Sequence, residues 1–229
     1  MNKFTKSLIL IFLTLVASLA ITLQSYAVEF MPRDTKSINN HAIGIFFAPE
    51  EIKIYSSPDE KSELIEIIRW NILGVEAIPQ VQSSGETFFV FIPNKKYALM
   101  PVISENENSD WLEVIYNKNT GAKGWVRNPT YDRFETWLEF MRVYGKRNRL
   151  YLFSDIPEKY KSLHTDPDEN SQLINNNDSI LIQEIELIYV SGNWVLVREI
   201  DYNKTAQVGW IRWRDNDGNI FVFPKLDSD

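Results

Sequence analysis

The chain predicts an all-β protein made of two small β-barrels joined by one amphipathic α-helix, behind an N-terminal signal peptide. Three observations carry that expectation. The first is a repeat: Ser57-Pro58-Asp59-Glu60-Lys61-Ser62-Glu63-Leu64-Ile65 returns as Asp166-Pro167-Asp168-Glu169-Asn170-Ser171-Gln172-Leu173-Ile174. Each copy is followed by a run opening on tryptophan, Trp111 or Trp194, and then by Gly124-Trp125-Val126-Arg127 or Gly209-Trp210-Ile211-Arg212. Matched order and chemistry imply two copies of one fold. The second is that the runs between these landmarks alternate, or are β-branched and aromatic, and are bounded by Pro, Gly, Asn and Asp. The third is that Phe134, Trp137, Leu138, Met141 and Tyr144 recur at spacings of three and four between the copies, the period of a helix with one apolar face.

The elements follow in order. Lys3 and Lys6 precede an apolar run from Leu8 to Leu23, and Ser25-Tyr26-Ala27 places small residues where a signal peptidase cuts, so residues 1–27 read as a secretory signal. The run is long enough that an uncleaved single-span anchor is the alternative. No Cys is present to carry a lipid or form a disulfide. Residues 28–47 are polar and irregular. The first barrel is expected over 48–130, with an insertion at about 70–100, since Pro58 and Trp111 lie 53 residues apart and Pro167 and Trp194 only 27. That insertion includes Phe88-Phe89-Val90-Phe91-Ile92, an added strand or hairpin arm, and insertions in loops often carry binding function. A linker helix is expected within 131–147, its amphipathic stretch 132–144 closed by Gly145 as a C-terminal stop. The second barrel occupies 148–229. Its runs are Leu150 to Phe153, Ile180 to Val190, Trp194 to Ile200, Val208 to Trp213 and Ile220 to Phe223, with Asp215-Asn216-Asp217-Gly218-Asn219 as a hairpin turn.

Charge narrows the function classes. Loss of the signal removes two of the 24 basic residues and none of the 31 acidic ones, leaving a formal net charge of −9. Such a chain repels phosphate backbones and anionic lipid surfaces, so neither nucleic acid nor a membrane beyond the signal segment is expected as partner.

The landmarks in order, a Pro-containing turn after a short strand, a strand opening with Trp, a Tyr116-Asn117-Lys118 or Tyr202-Asn203-Lys204 turn and Gly-Trp-Val/Ile, resemble the bacterial SH3 domain family, SH3b. The resemblance rests on Pro58, Trp111, Val114, Gly124, Trp125 and Val126, and on Pro167, Trp194, Val197, Gly209, Trp210 and Ile211. It covers residues from about 48 to 130 and 148 to 224. It departs from the family in the long insertion, and in Ile54-Tyr55-Ser56 and Leu163-His164-Thr165 where the family often has arginine and asparagine. The resemblance implies small exported barrels that bind cell-wall peptides.

The candidate ligand-binding residues are therefore Trp111, Tyr116, Trp125, Arg127, Trp194, Trp210 and Arg212. The tryptophans also fit as core residues of a small barrel. Arg127 and Arg212 lie two residues beyond Trp125 and Trp210, hence on the same strand face, where a guanidinium beside an indole suits a peptide carboxylate. Arg198 and Arg214 add to a basic spot in the second copy. No enzyme is expected: there is no Cys nucleophile, and His41 and His164 are the only imidazoles. A Ser162, His164, Asp166 set would come from one short loop, and Asp59-Glu60 and Asp168-Glu169 read as solvated turns. Asp215 to Asn219 resembles a calcium-loop fragment, but Trp213 and Pro224 would hold its end positions, so no metal and no cofactor are expected. The expected role is binding of cell-wall (peptidoglycan) peptide in the periplasm or outside the cell. The alternative is an envelope protein-protein interaction or scaffold module that uses the insertion.

Overall fold

Apolar runs of period two and of unbroken hydrophobicity become fourteen strands in two antiparallel sheets in the computed structural model, which describes residues 29–38, 41–78, 84–108, 110–128, 133–174, 185–200 and 206–226. The segment read as a signal peptide lies outside the described residues, as do Tyr202 to Thr205. Among the described residues no helix is long and apolar enough to cross a membrane.

The first sheet holds β1 (Gly44–Phe47), β2 (Glu51–Tyr55), β3 (Leu64–Asn71), β4 (Gly74–Ile78), β5 (Val90–Ile92), β6 (Tyr97–Glu105), β7 (Trp111–Asn117), β8 (Ala122–Arg127) and β9 (Phe134–Thr136). Its order is β4-β3-β2-β8-β7-β6-β1-β9, with β5 also on β6. The second holds β10 (Leu150–Leu152), β11 (Ile185–Ser191), β12 (Trp194–Glu199), β13 (Val208–Arg212) and β14 (Val222–Pro224), in the order β13-β12-β11-β10-β14. In β2 the alternation is plain: Ile52 and Ile54 are buried while Glu51 and Lys53 face water. The Asp215 to Asn219 hairpin closes as expected, with the Asp215 amide donating to Asn219 O (3.0 Å) and Gly218 at positive φ.

Three expectations need correction. Residues 28–47 are not irregular throughout, because Gly44–Phe47 forms β1 between β6 and β9. Upstream, Phe30 pairs with Phe91 through two backbone hydrogen bonds of 3.0 Å, the Tyr151 hydroxyl donates to Pro32 O (2.6 Å) and the Thr35 amide to Asp155 Oδ1 (2.8 Å). This segment therefore straps the first sheet to the second half.

The linker helix, α1 (Trp137–Arg147), starts later than 131, since Phe134–Thr136 pairs as β9. Thr136 caps it, its hydroxyl accepting from the Glu139 amide while the Glu139 carboxylate reaches back, a capping box. Gly145 does not stop the helix. It is buried inside it, and a Cβ there would come within 2.9 Å of Leu187 Cδ2, so the glycine permits close packing of helix on β11.

Two apolar cores result. The smaller lies within the first half and includes Ile52, Ile54, Ile68, Trp70, Phe88 and Phe91. The larger is built around α1 and draws Phe89, Val90 and Ile92 from the insertion, Trp137 and Phe140 from the helix and Ile185, Val197, Trp213 and Phe223 from the second half. The insertion is thus a wall between the cores, with Phe88 and Phe91 turned to the smaller and Phe89, Val90 and Ile92 to the larger. Phe88 stacks on Phe91 at 5.3 Å in the small core, and Phe89 meets Trp137 (6.0 Å) and Phe223 (6.1 Å) in the large one.

Lys118, in the β7–β8 turn, lays its ammonium 5.5 Å from the Phe30 ring, and burial lowers its pKa to about 8 despite the opposing charge of Asp34. The folded state thus holds this proton less tightly than the unfolded chain does. The ammonium costs stability in full below pH 8, and the cost disappears as pH rises from about 8 towards 10.5. Lys118→Met should therefore raise stability at pH 7 by about 1 kcal/mol after solvent screening, and the gain should shrink at pH 10. Thermal unfolding at the two pH values checks this, and equal or reduced stability at pH 7 would contradict it.

Candidate functional site

The repeated turns fold alike, bond for bond. In the first, the Ser56 amide donates to Glu63 O (2.9 Å), the Lys61 amide to Asp59 Oδ1 (2.9 Å) and the Ser62 hydroxyl to Asp59 O (2.7 Å). In the second, the Thr165 amide donates to Gln172 O (2.9 Å), the Asn170 amide to Asp168 Oδ1 (2.9 Å) and the Ser171 hydroxyl to Asp168 O (2.8 Å). Aspartate binding its own backbone two residues on is what selects it at these positions. Upstream of the turns, Tyr55 pairs with Leu64 and Trp125, and His164 pairs with Leu173 and Trp210. These crossings require glycine before the second tryptophan. A Cβ on Gly124 would stand 2.3 Å from Ile54 Cγ2 and 3.2 Å from Tyr55 O, and one on Gly209 would stand 2.9 Å from Leu163 Cβ and 3.1 Å from His164 O.

Each half then assembles the same four-group cluster. Cross-strand register sets Trp111 opposite Arg127 and Trp194 opposite Arg212. The guanidinium carbon lies 5.9 Å from the Trp111 ring centre in one half and 5.6 Å from that of Trp194 in the other. An edge-on ring completes the wall, Tyr55 at 5.5 Å from Trp111 and His164 at 5.2 Å from Trp194. A turn carboxylate ties down the arginine, Glu60 on Arg127 and Glu169 on Arg212. Both clusters border clefts lined by corresponding positions: Glu51, Lys53, Tyr55, Glu60 and Arg127 in a groove of about 620 Å³, and Tyr160, Ser162, His164, Glu169 and Arg212 in one of about 140 Å³.

The two clusters differ in burial. Arg127 keeps 46% of its side chain exposed and Arg212 only 9%. Arg212 also donates through Nη2 to Asn216 Oδ1 (2.7 Å) and through Nε to Arg214 O (3.2 Å). His164 is buried, which pushes its imidazole pKa down even though its neighbours in the turn favour the proton. Its Nδ1 lies 3.3 Å from the hydroxyl of Ser171, not of Ser162, and that hydroxyl is engaged in the turn. The basic spot of the second half is compensated: Arg198 pairs with Glu186 (3.2 Å), Arg212 with Glu169, and Arg214 donates to Asn193 Oδ1 (3.1 Å) and lies over the Trp213 ring. Among the described residues no group of three or more His, Cys, Asp or Glu side chains is placed to hold a metal ion.

Of the sequence candidates, Trp111, Trp125 and Arg127 are gathered on one face, as are Trp194, Trp210 and Arg212. Tyr116 is not with them. It packs against the small core near Glu66, and burial raises its phenol pKa. No protein-family model matches the chain, and no curated protein matches it. Four residues of the clusters and clefts are not among the sequence candidates: Tyr55, expected only as a departure from the family, Glu60 and Glu169, expected only as solvated turns, and Tyr160. The repeat itself carried a signal for the glutamates, which occupy the same turn position in both copies while an arginine holds the same position after each second tryptophan.

Proposed function

We propose that this is an exported, non-catalytic binding protein whose two sheets are SH3-like barrels, and that its ligand is a peptide, specifically the stem peptide of the cell wall. The observation that carries the reading is the doubled cluster. Indole, edge-on ring, arginine and turn glutamate recur at matching positions in both halves, and in each half the ring, the arginine and the glutamate line a cleft. A phenol face such as that of Tyr55 suits the apolar parts of a peptide, and a guanidinium at the rim suits its carboxylates. Purified protein mixed with murein sacculi at low salt should sediment with them, and protein left wholly in the supernatant would refute this role.

A second reading has its own support. Strand β4 lies within the insertion range and ends the first sheet, and Ile72, Leu73 and Ile78 beside or on it are 56, 52 and 45% exposed. An envelope protein that adds a strand there would pair with the open edge. Under this reading Ile78→Lys abolishes co-purification of a partner from envelope extracts while sacculus binding persists. The Phe88 to Ile92 run does not serve that role, because it is buried between the cores and paired with β6 and Phe30.

A further inference from the structure

The two corresponding clefts are chemically unequal, and we infer that only the first-half groove takes the ligand, an acidic peptide whose carboxylate displaces Glu60 from Arg127. This rests on the peptide-binding reading and specifies where and how it operates.

Arg212 has nothing to offer a ligand. Its Nη1 faces Glu169, Nη2 and Nε donate to Asn216 and Arg214, and the side chain is almost wholly buried. Breaking such a set leaves a buried charge short of partners, which costs more than a replacement carboxylate returns. The surrounding cleft of about 140 Å³ also falls below the several hundred cubic ångströms that a peptide fragment needs.

Arg127 is the opposite case. It is half exposed and its ionic partner, Glu60, is 58% exposed. An exposed pair of this kind contributes little, so a ligand carboxylate replaces Glu60 at small cost. The groove of about 620 Å³ is large enough, and Pro49 and the Tyr55 ring, both partly exposed, give it apolar lining. Its charge is also selective. Glu51 is already held by Arg69 at 2.9 Å. Lys53 and Arg133 line the same groove, and among the described residues neither has a salt bridge to a carboxylate. A locally cationic groove on a chain of net charge −7 draws acidic segments to this place. In the free protein Glu60 stands in for the ligand, so it acts as a built-in competitor that lowers the apparent affinity.

The test is a titration of the ¹⁵N-labelled full protein with a soluble disaccharide-tetrapeptide from murein, and with the same compound after amidation of its carboxyl groups. The free-carboxylate form should shift resonances of Lys53, Tyr55, Arg127 and Arg133 and leave Tyr160 and Trp194 in place. Glu60→Gln, a surface change that keeps the fold, should tighten binding by up to about fivefold, the equivalent of one exposed ion pair. Arg127→Ala should weaken it about tenfold or more, as loss of a charge-assisted contact does. Equal binding of the amidated form, shifts centred on Tyr160 and Trp194, or weaker binding by Glu60→Gln would overturn the inference while peptide binding stands. No binding by either wild type or Glu60→Gln would overturn both.

Discussion

Trp137→Ala should lower stability by about 3 to 5 kcal/mol, the range for deleting a large buried aromatic, and move the whole unfolding transition rather than part of it. Trp137 is 2% exposed, donates from Nε1 to Ala42 O (2.8 Å) and touches Phe89 and Phe140. Phe140 in turn meets Phe223 of the last strand at 5.4 Å. The indole thus sits where the first sheet, the insertion, the helix and the second sheet meet. Its removal opens a cavity in a core that both halves share and orphans a buried carbonyl. For a protein of this size the loss corresponds to a fall of about 10 °C in Tm. Circular dichroism and tryptophan fluorescence should report one coincident transition at the lower temperature. Two separated transitions, only one of them displaced, would mean that the halves fold independently.

Gly124→Ala should destabilise by about 2 to 3 kcal/mol through overpacking, and Gly209→Ala by less. The contrast follows from what each new methyl meets. At 124 it strikes Ile54 Cγ2 at 2.3 Å, a stiff β-branched side chain that is itself fully buried. At 209 its closest atom is Ile174 Cδ1 at 2.6 Å, the end of a side chain that is 37% exposed and free to swing aside, although Leu163 Cβ at 2.9 Å remains. Gly124→Ala also displaces Tyr55, so ligand affinity should fall along with stability. Chemical denaturation of the two variants checks the order. A neutral Gly124→Ala would show that the β2–β8 crossing tolerates a side chain.

Much of the fold was legible in the sequence because its signals are local. Alternating Ile52-Lys53-Ile54 reads as a half-buried strand, and Asp-Gly inside Asp215 to Asn219 reads as a tight turn. The helix start carries a signal that the expectation did not use, Thr136 and Glu139 three residues apart, because the apolar period extends through Phe134 and draws the expected start too early. Gly145 misleads as a stop because glycine serves two purposes, positive φ and close approach, and here Leu187 demands the second. Phe88 to Ile92 reads as an added strand or hairpin arm, and Val90–Ile92 is a strand, but its burial between two cores is set by the helix and the second half, which no local pattern states.

The site was half legible. Trp111, Trp125 and Arg127, with their counterparts, follow from the repeat and from strand alternation. The Arg127 and Glu60 pair joins residues 67 apart in sequence, and Tyr55 corresponds to His164, two rings without sequence identity. Such groups are brought together by register alone, which no local pattern states.

Isothermal titration of the purified protein with a soluble stem peptide bearing free carboxylates tests the central claim most directly. Saturable binding that Arg127→Ala weakens about tenfold or more is the predicted result. The absence of saturable heat, or binding that is indifferent to Arg127, would contradict it.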